Sequence, residues 1–302
     1  MRMKRAEALG MAAGVVADRV FADPQRGHPV AVFGSAVART EKRVYADSRA
    51  AGAVFATGWI GAATALGAGL RRLGAVGSAV STFTALGGTS LCRIGDQIAD
   101  ALDDGDIEEA RRLVSGLVGR DPNLLDESGI CRAAVESIAE NTSDAAVAPL
   151  VCGAVAGPAG LLGYRAVNTL DAMIGYRSDR YRNFGWAAAR IDDVANLVPA
   201  RVAAAAAAAV SGRPGEVWRT VRRDAGKHPS PNAGVVEAAF AGALGIELGG
   251  RTEYAHGVEE RPRLGDGRSP TPADLRAAAA LSRRIQTVTA VGAVAMRWGL
   301  RA

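Results

Sequence analysis

Four stretches of the 302-residue chain gather side chains able to do chemistry. In the first, Glu136-Ser-Ile-Ala-Glu140-Asn141-Thr142-Ser143-Asp144 leads into an apolar run. Helical spacing puts Glu136 and Glu140 on one face, where carboxylates can act as bases or hold a cation. The same pattern also makes a solvated last turn, ended by Asn141 and followed by a Ser/Asp cap. In the second, Arg165, Asn168 and Asp171 recur every three residues among apolar ones. Such a stripe is costly unless it faces a cavity or partner, or unless Arg165 and Asp171 pair inside a bundle. The third holds Arg177, Arg180 and Arg182, then Asp192-Asp193-x-x-Asn196. Arginines so clustered grip phosphate or carboxylate in a bidentate way, or anchor an interface together with Tyr181 and Trp186. Oxygen ligands such as Asp192 and Asp193 suit Mg²⁺ held with a phosphate, though a helix cap has the same composition. The fourth, Lys227-His228-Pro229-Ser230-Pro231-Asn232, reads as a proline loop opening a helix. Helix N–H groups beside Lys227 and His228 attract an anion, and Ser230 or Asn232 serves as cap. The common P-loop, dinucleotide and hydrolase motifs are all missing.

These residues must be held by helices. Residues 50–70, 73–92 and 145–164 carry no charge, and each is as long as the roughly 20 residues that cross a bilayer. Shorter apolar runs occupy 8–17, 202–212 and 285–296. The chain has 63 alanines and 37 glycines. Small residues suit close helix packing in lipid, with Gly61, Ala65 and Gly69 at small-xxx-small spacing and Gly153 and Gly157 likewise. Between the runs, residues 93–144 carry 13 acids and five bases and read as a helical polar loop. Asp126 or Ser128 caps a helix over 126–140, and Ile107, Ala110 and Val114 form the stripe of another. Strand signals are absent. The expectation is an all-α, multi-pass helical membrane protein with helical polar loops, forming one domain over 1–302. Lysine and arginine near the runs favour a cytoplasmic N-terminus.

Composition removes other classes. Charged residues, at 22%, are too many for a wholly lipid-embedded chain, and apolar ones, at 49%, too many for disorder. Three cysteines with no C-x-x-C pair build neither a disulfide framework nor a zinc ribbon. The net charge of +5 is dispersed and is not a nucleic-acid footprint.

The text of these segments resembles the CobD/CbiB family of cobalamin biosynthesis, the adenosylcobinamide-phosphate synthases. The matching stretches are ADRVFADPQRGHPV, VGRDPNLLDESGICRAAVESIAENTSDAAVAPL, YRAVNTLDAMIGYRSDRYRNFGWAAARIDDVANLVPAR, RDAGKHPSPNAGVVEAAFAGALGIELGG and ERPRLGDG. They cover nearly the whole chain, in order. The resemblance implies a multi-pass enzyme of the bacterial cytoplasmic membrane that joins adenosylcobyric acid to aminopropanol or aminopropanol phosphate. It implies ATP-dependent amide formation with Mg²⁺, and plausible contact with later cobalamin-assembly membrane enzymes.

Within that reading, Glu140, Asp144 and Asp171 are expected as catalytic carboxylates, with His228 as a base. Asp192 and Asp193 are expected to hold metal. Arg165, Arg177, Arg180, Arg182 and Lys227 would grip phosphate or the corrin carboxylate, and Asn141, Asn168, Ser230 and Asn232 would hydrogen-bond. His28 reads as structural. Two rival readings are a prenyltransferase-like Mg²⁺/diphosphate enzyme and a non-enzymatic corrinoid transporter or scaffold.

Overall fold

The computed structural model describes residues 2–24, 27–118, 122–176, 178–254 and 257–299. In chain order the elements begin with α1 (Arg2–Phe21), α2 (Pro29–Val44), α3 (Arg49–Leu70), α4 (Ala75–Ala85), α5 (Gly88–Asp103), α6 (Ile107–Val114) and α7 (Glu127–Thr142). They continue with α8 (Ala148–Ala156), α9 (Pro158–Ile174), α10 (Tyr181–Phe184), α11 (Trp186–Ala195), α12 (Leu197–Val210), α13 (Pro214–Asp224) and α14 (Ala233–Leu244). A hairpin of β1 (Leu248–Tyr254) and β2 (Gly257–Leu264) precedes α15 (Pro272–Gly299). The chain forms two compact units, one of residues 1–87, 144–199 and 289–302, the other of 88–143 and 200–288.

Local chemistry sets many boundaries. His28 caps α2 by accepting the Val30 N–H, with Pro29 at the first helical position. Asp106 and Asp126 cap α6 and α7. The α7 cap agrees with the expected helix. Asn141 does not end α7, because the helix runs on into a π turn over Ser143–Val147.

In the first unit, α1 packs on α4, and α3 packs on α9, which also meets α8 and α11. Val37, Phe55, Leu170, Ile174 and Phe184 form one core cluster. Met11, Leu86, Leu150, Ala154 and Ala290 belong to another. Two α3 glycines make close approach possible. An added Cβ would lie 1.8 Å from the Phe184 carbonyl oxygen at Gly52, and 2.3 Å from that of Pro158 at Gly67. The stripe Gly61, Ala65 and Gly69 instead faces outward, with nothing near the two glycines. Periodicity alone did not say which small-residue face of α3 packs.

The three long uncharged runs have different fates. The first becomes the candidate span Arg49–Leu73. The second is cut at Leu86, whose backbone is extended (ψ 159°), before α5 begins. The third is cut at Gly157, whose φ of +65° is outside the helical region and which precedes Pro158. Trp186–Ala195 and Leu197–Val210 form a second candidate only if the bent pair is one span. Among the described residues there are thus one or two candidate spans, where the uncharged runs suggested three.

In the second unit, α13 packs on α14, α5 on α6 and α7, and α7 on α14 and β1. The antiparallel hairpin corrects the expectation of no strands. It pairs Leu248 with Leu264 and Gly250 with Arg261, with an irregular register between Leu248 and Gly250. Backbone pairing makes these strands. Their text, GRTEYAHGVEERPR, lacks the hydrophobic alternation by which strands are recognised.

Candidate active site

The polar stripe on α9 divides. Arg165 and Asn168 share a face, whereas Asp171 lies roughly 240° round the helix from Arg165. Asn168 Nδ2 donates to Asp144 Oδ2 at 3.3 Å, and Arg165 Nη1 donates to Asn168 Oδ1 at the long distance of 3.5 Å. Asp144 is carried by the π turn, whose extra residue re-aims the side chains it holds. Arg165 Nε is buried without a hydrogen-bond partner. The charges of Asp23 and Asp144 act on this guanidinium. Asp23 Oδ1 in turn accepts from His28 Nε2 at 3.2 Å. A largely apolar cavity of about 120 Å³, lined by Val30, Phe33, Leu66 and Leu162, has Arg165 in its wall.

Asp171 belongs to a second group in the same unit. Its carboxylate lies against Gly175, which lines a cavity of about 330 Å³ with Arg49, Tyr176, Arg182, Trp186, Arg190 and Asp193. Burial pushes the Asp171 carboxyl up to about 6, and the Asp193 carboxylate adds to the shift. Arg49 stacks over Trp186 at 5.4 Å. Arg190 pairs with Asp193 at 3.4 Å, and Arg182 with the exposed Asp179 at 3.0 Å.

Arg180 is turned away from this cavity. It donates to Glu41 Oε1 at 2.7 and 3.2 Å and stacks on Tyr45 at 4.1 Å. Glu41 is buried, so this ion pair holds the fold together. Arg177 lies outside the described residues. Asp192 and Asp193 diverge, as neighbours on a helix must. Asp192 Oδ2 accepts from Asn196 at 2.9 Å, and Asn196 Oδ1 accepts from the Tyr164 hydroxyl at 2.7 Å. Among the described residues, no three His, Cys, Asp or Glu side chains are grouped as a metal site.

The remaining expected residues fall in the second unit. Glu140 is exposed, and Asn141 donates to the Ser137 carbonyl at 3.0 Å. Lys227 pairs with the buried Asp224 at 2.7 Å. Ser230 Oγ accepts the N–H groups of Asn232 and Ala233, while Asn232 Oδ1 accepts from Arg201 at 2.9 Å. The Ser230 hydroxyl thus serves N–H groups at the start of α14, whose N-cap position is Asn232, and Lys227 and Asn232 are engaged within the protein. The Ser230 N–H donates to His228 Nδ1 at 3.0 Å. His228 Nε2 lies 3.1 Å from Arg261 Nη2 and 3.7 Å from Glu237 Oε1. Arg261 also donates to Glu136 at 2.8 Å. Burial and the Arg261 charge lower the basicity of His228.

A family model described as CobD/Cbib protein matches residues 11–282. The chain belongs to the CobD/Cbib family. It is 55% identical over 296 residues to the cobalamin biosynthesis protein CobD of Mycobacterium tuberculosis strain H37Rv, covering 95% of each chain. It is 42% identical over 286 residues to a cobalamin biosynthesis protein CobD of Rhodobacter capsulatus, covering 91% of each. It is also 42% identical over 277 residues to that of Geobacter metallireducens, covering 86% of each. No solved structure matches the chain.

Within this CobD/Cbib chain the matched stretch takes in both polar groups of the first unit and the His228 cluster. Residue types alone missed several members. Asp23 and His28 sit in a proline-punctuated loop between helices, which reads as structural. Arg49 opens an uncharged run and reads as its boundary. Glu237 left a usable signal, as the one carboxylate in the apolar text AGVVEAAFAGAL.

Proposed function

We propose that this CobD/Cbib member forms the amide bond between the free propionate of adenosylcobyric acid and aminopropanol or its phosphate, giving adenosylcobinamide or its phosphate. The observation that carries the reading is 55% identity over 95% of the chain to a cobalamin biosynthesis protein CobD. Amide formation needs an anion site for the acid, neutralisation of phosphate charge, and a place for the amine. Arg165 offers the first, through a buried guanidinium N–H with no internal partner. Arg49, Arg182 and Arg190 offer the second, around the 330 Å³ cavity. Asp171 and Asp193 fit Mg²⁺, an ion held by one or two carboxylates plus phosphate oxygens. Bound there with ATP, the ion would supply phosphoryl chemistry that makes a carboxylate a competent acyl donor.

We place the enzyme in the bacterial cytoplasmic membrane. Its first unit buries Glu7, Asp18 and Glu41 while α1, α3 and α4 expose Leu9, Val16, Val20, Val54, Leu66 and Val76. That inverted polarity suits lipid-facing helices around a polar interior and supports several passes. The prenyltransferase-like reading asks Asp192 and Asp193 to share one ion, and Asp192 is turned to Asn196. Purified protein in detergent with adenosylcobyric acid, aminopropanol phosphate, ATP and Mg²⁺ tests the proposal. Mass spectrometry should show the amide product, lost when ATP is omitted. Binding of the corrinoid with no amide formed would favour a transporter or scaffold.

A further inference from the structure

We infer that the outward face of α13, with Trp218 and Arg222 at its centre, rests on anionic phospholipid headgroups. The inference builds on the membrane placement above and gives the second unit a lipid contact of its own.

Spacing makes α13 two-faced. Val217, Thr220 and Asp224 are buried and recur at one helical face. That face packs on α14, where a Cβ added to Gly242 would lie 2.8 Å from the Glu216 carbonyl oxygen and 2.9 Å from Thr220 Oγ1. Gly215, Trp218, Arg219, Arg222 and Arg223 make up the other face. All five are exposed, and together they line an open groove of about 620 Å³. The stripe holds no acid. At its margins Glu216 pairs with Arg219, while Asp266 and the buried Asp224 pair with Arg223. Arg222 has neither an ion pair nor a hydrogen bond among the described residues. Tryptophan beside arginine suits the headgroup layer, where the ring sits between acyl chains and water and the guanidinium grips phosphate.

Chain length brings the stripe to that depth. The bent candidate span formed by α11 and α12 ends at Val210. Ser211, Gly212 and Arg213 are all that separates it from Pro214. Three extended residues reach at most about 11 Å. A headgroup layer is about 5–8 Å deep. Gly212, at φ +74°, turns the chain out of α12. α13 therefore starts beside the headgroups. Residues 211–223 bring four arginines there against one acid, Glu216, an excess that matches anionic lipid better than zwitterionic lipid.

The test places the full chain in phosphatidylcholine nanodiscs, with phosphatidylglycerol brominated on its acyl chains as the probe. Subtracting the emission of Trp218→Phe from that of the unaltered chain isolates Trp218. Its emission should be strongly quenched as brominated phosphatidylglycerol is added, and much less by brominated phosphatidylcholine at the same content. In Arg222→Gln the phosphatidylglycerol needed for half-maximal quenching should rise about fivefold, the loss of one surface arginine. No quenching, or equal quenching by both lipids, would overturn the inference. So would a Trp218 shielded from acrylamide but untouched by brominated lipid, which would mean that protein, such as a second copy of the chain, covers the face. If the chain does not enter bilayers, the membrane placement fails, and preformed vesicles containing brominated phosphatidylglycerol decide the face alone. Trp218 quenched there, and less so in Arg222→Gln, supports it; Trp218 unquenched refutes it.

Discussion

Glu7 and Arg297, 290 residues apart in sequence, form a buried ion pair that ties the first helix to the last. Glu7 is 0% exposed and Arg297 2%. Arg71 also donates to Glu7 at 2.6 Å, and Arg297 donates to the Val155 carbonyl at 3.0 Å. Removing one partner leaves the other charge buried and uncompensated, a cost of about 3–5 kcal/mol. Glu7→Ala should lower stability by that order, seen as a large fall in Tm. Glu7→Ala with Arg297→Ala should cost less than the sum of the single changes.

The two glycine faces of α3 should respond oppositely. Gly52→Ala places a methyl against the Phe184 carbonyl oxygen and should cost about 1–3 kcal/mol, as overpacking does. Gly61→Ala has open space around it and should lie within about 0.5 kcal/mol of the unaltered chain. Thermal denaturation in one detergent compares them directly.

Arg49 and Arg180 offer a second contrast. Arg49 lines the 330 Å³ cavity, while Arg180 is committed to Glu41. Arg49→Ala should raise KM for the phosphorylated amine or for ATP by on the order of tenfold, the loss of one charge-assisted contact. Arg180→Ala should lower Tm and leave both KM values nearly unchanged. Steady-state kinetics with each substrate varied in turn checks both.

Among the carboxylates, Asp171 should matter more to turnover than Asp192. Asp171→Asn removes half of the acidic pair proposed for Mg²⁺ and should lower kcat on the order of 100-fold. Asp192→Asn keeps an oxygen toward Asn196 and should cost less than about tenfold. Equal losses in the two variants would return Asp192 to the metal site. Membrane fractionation checks that both variants partition as the unaltered chain does.

The second unit should weaken with acid in two steps. Burial and Arg261 lower the His228 pKa, so the folded state resists a proton that the unfolded chain accepts. Its contribution is present above the unfolded value of about 6.5 and is lost as pH falls through the depressed folded value. For Asp224, burial alone would raise the carboxyl. Arg223, Lys227 and the Gly265 N–H outweigh burial and hold it well below the usual range. Its contribution is therefore present above about pH 4 and is lost only in stronger acid. Tm should fall between pH 7 and 5, and His228→Gln should flatten that fall without altering the loss below pH 4.

Much was written locally in the chain. Asp126 marked the start of α7, the apolar texts marked helices, and the long motifs marked the family. The polar stretches around 144, 165 and 190 supplied side chains that the fold gathers beside the two cavities of the first unit. The hairpin was not legible, because its strands are joined by backbone bonds and carry no alternating pattern.

Partnership was the other illegible quantity. Arg180 and Arg182 are alike as text, yet one is drawn to Glu41 from α2 and the other lines a cavity. Asp192 and Asp193 are adjacent as text and turn to different neighbours. By itself the sequence determined the family, the helices and the residue types available, because those depend on nearest neighbours and periodicity. Only the tertiary structure decided that Asp23 and His28 join Arg165, that Arg49 enters the 330 Å³ cavity, and that two of the uncharged runs break. Those outcomes depend on side chains distant in sequence competing for the same charges and the same space.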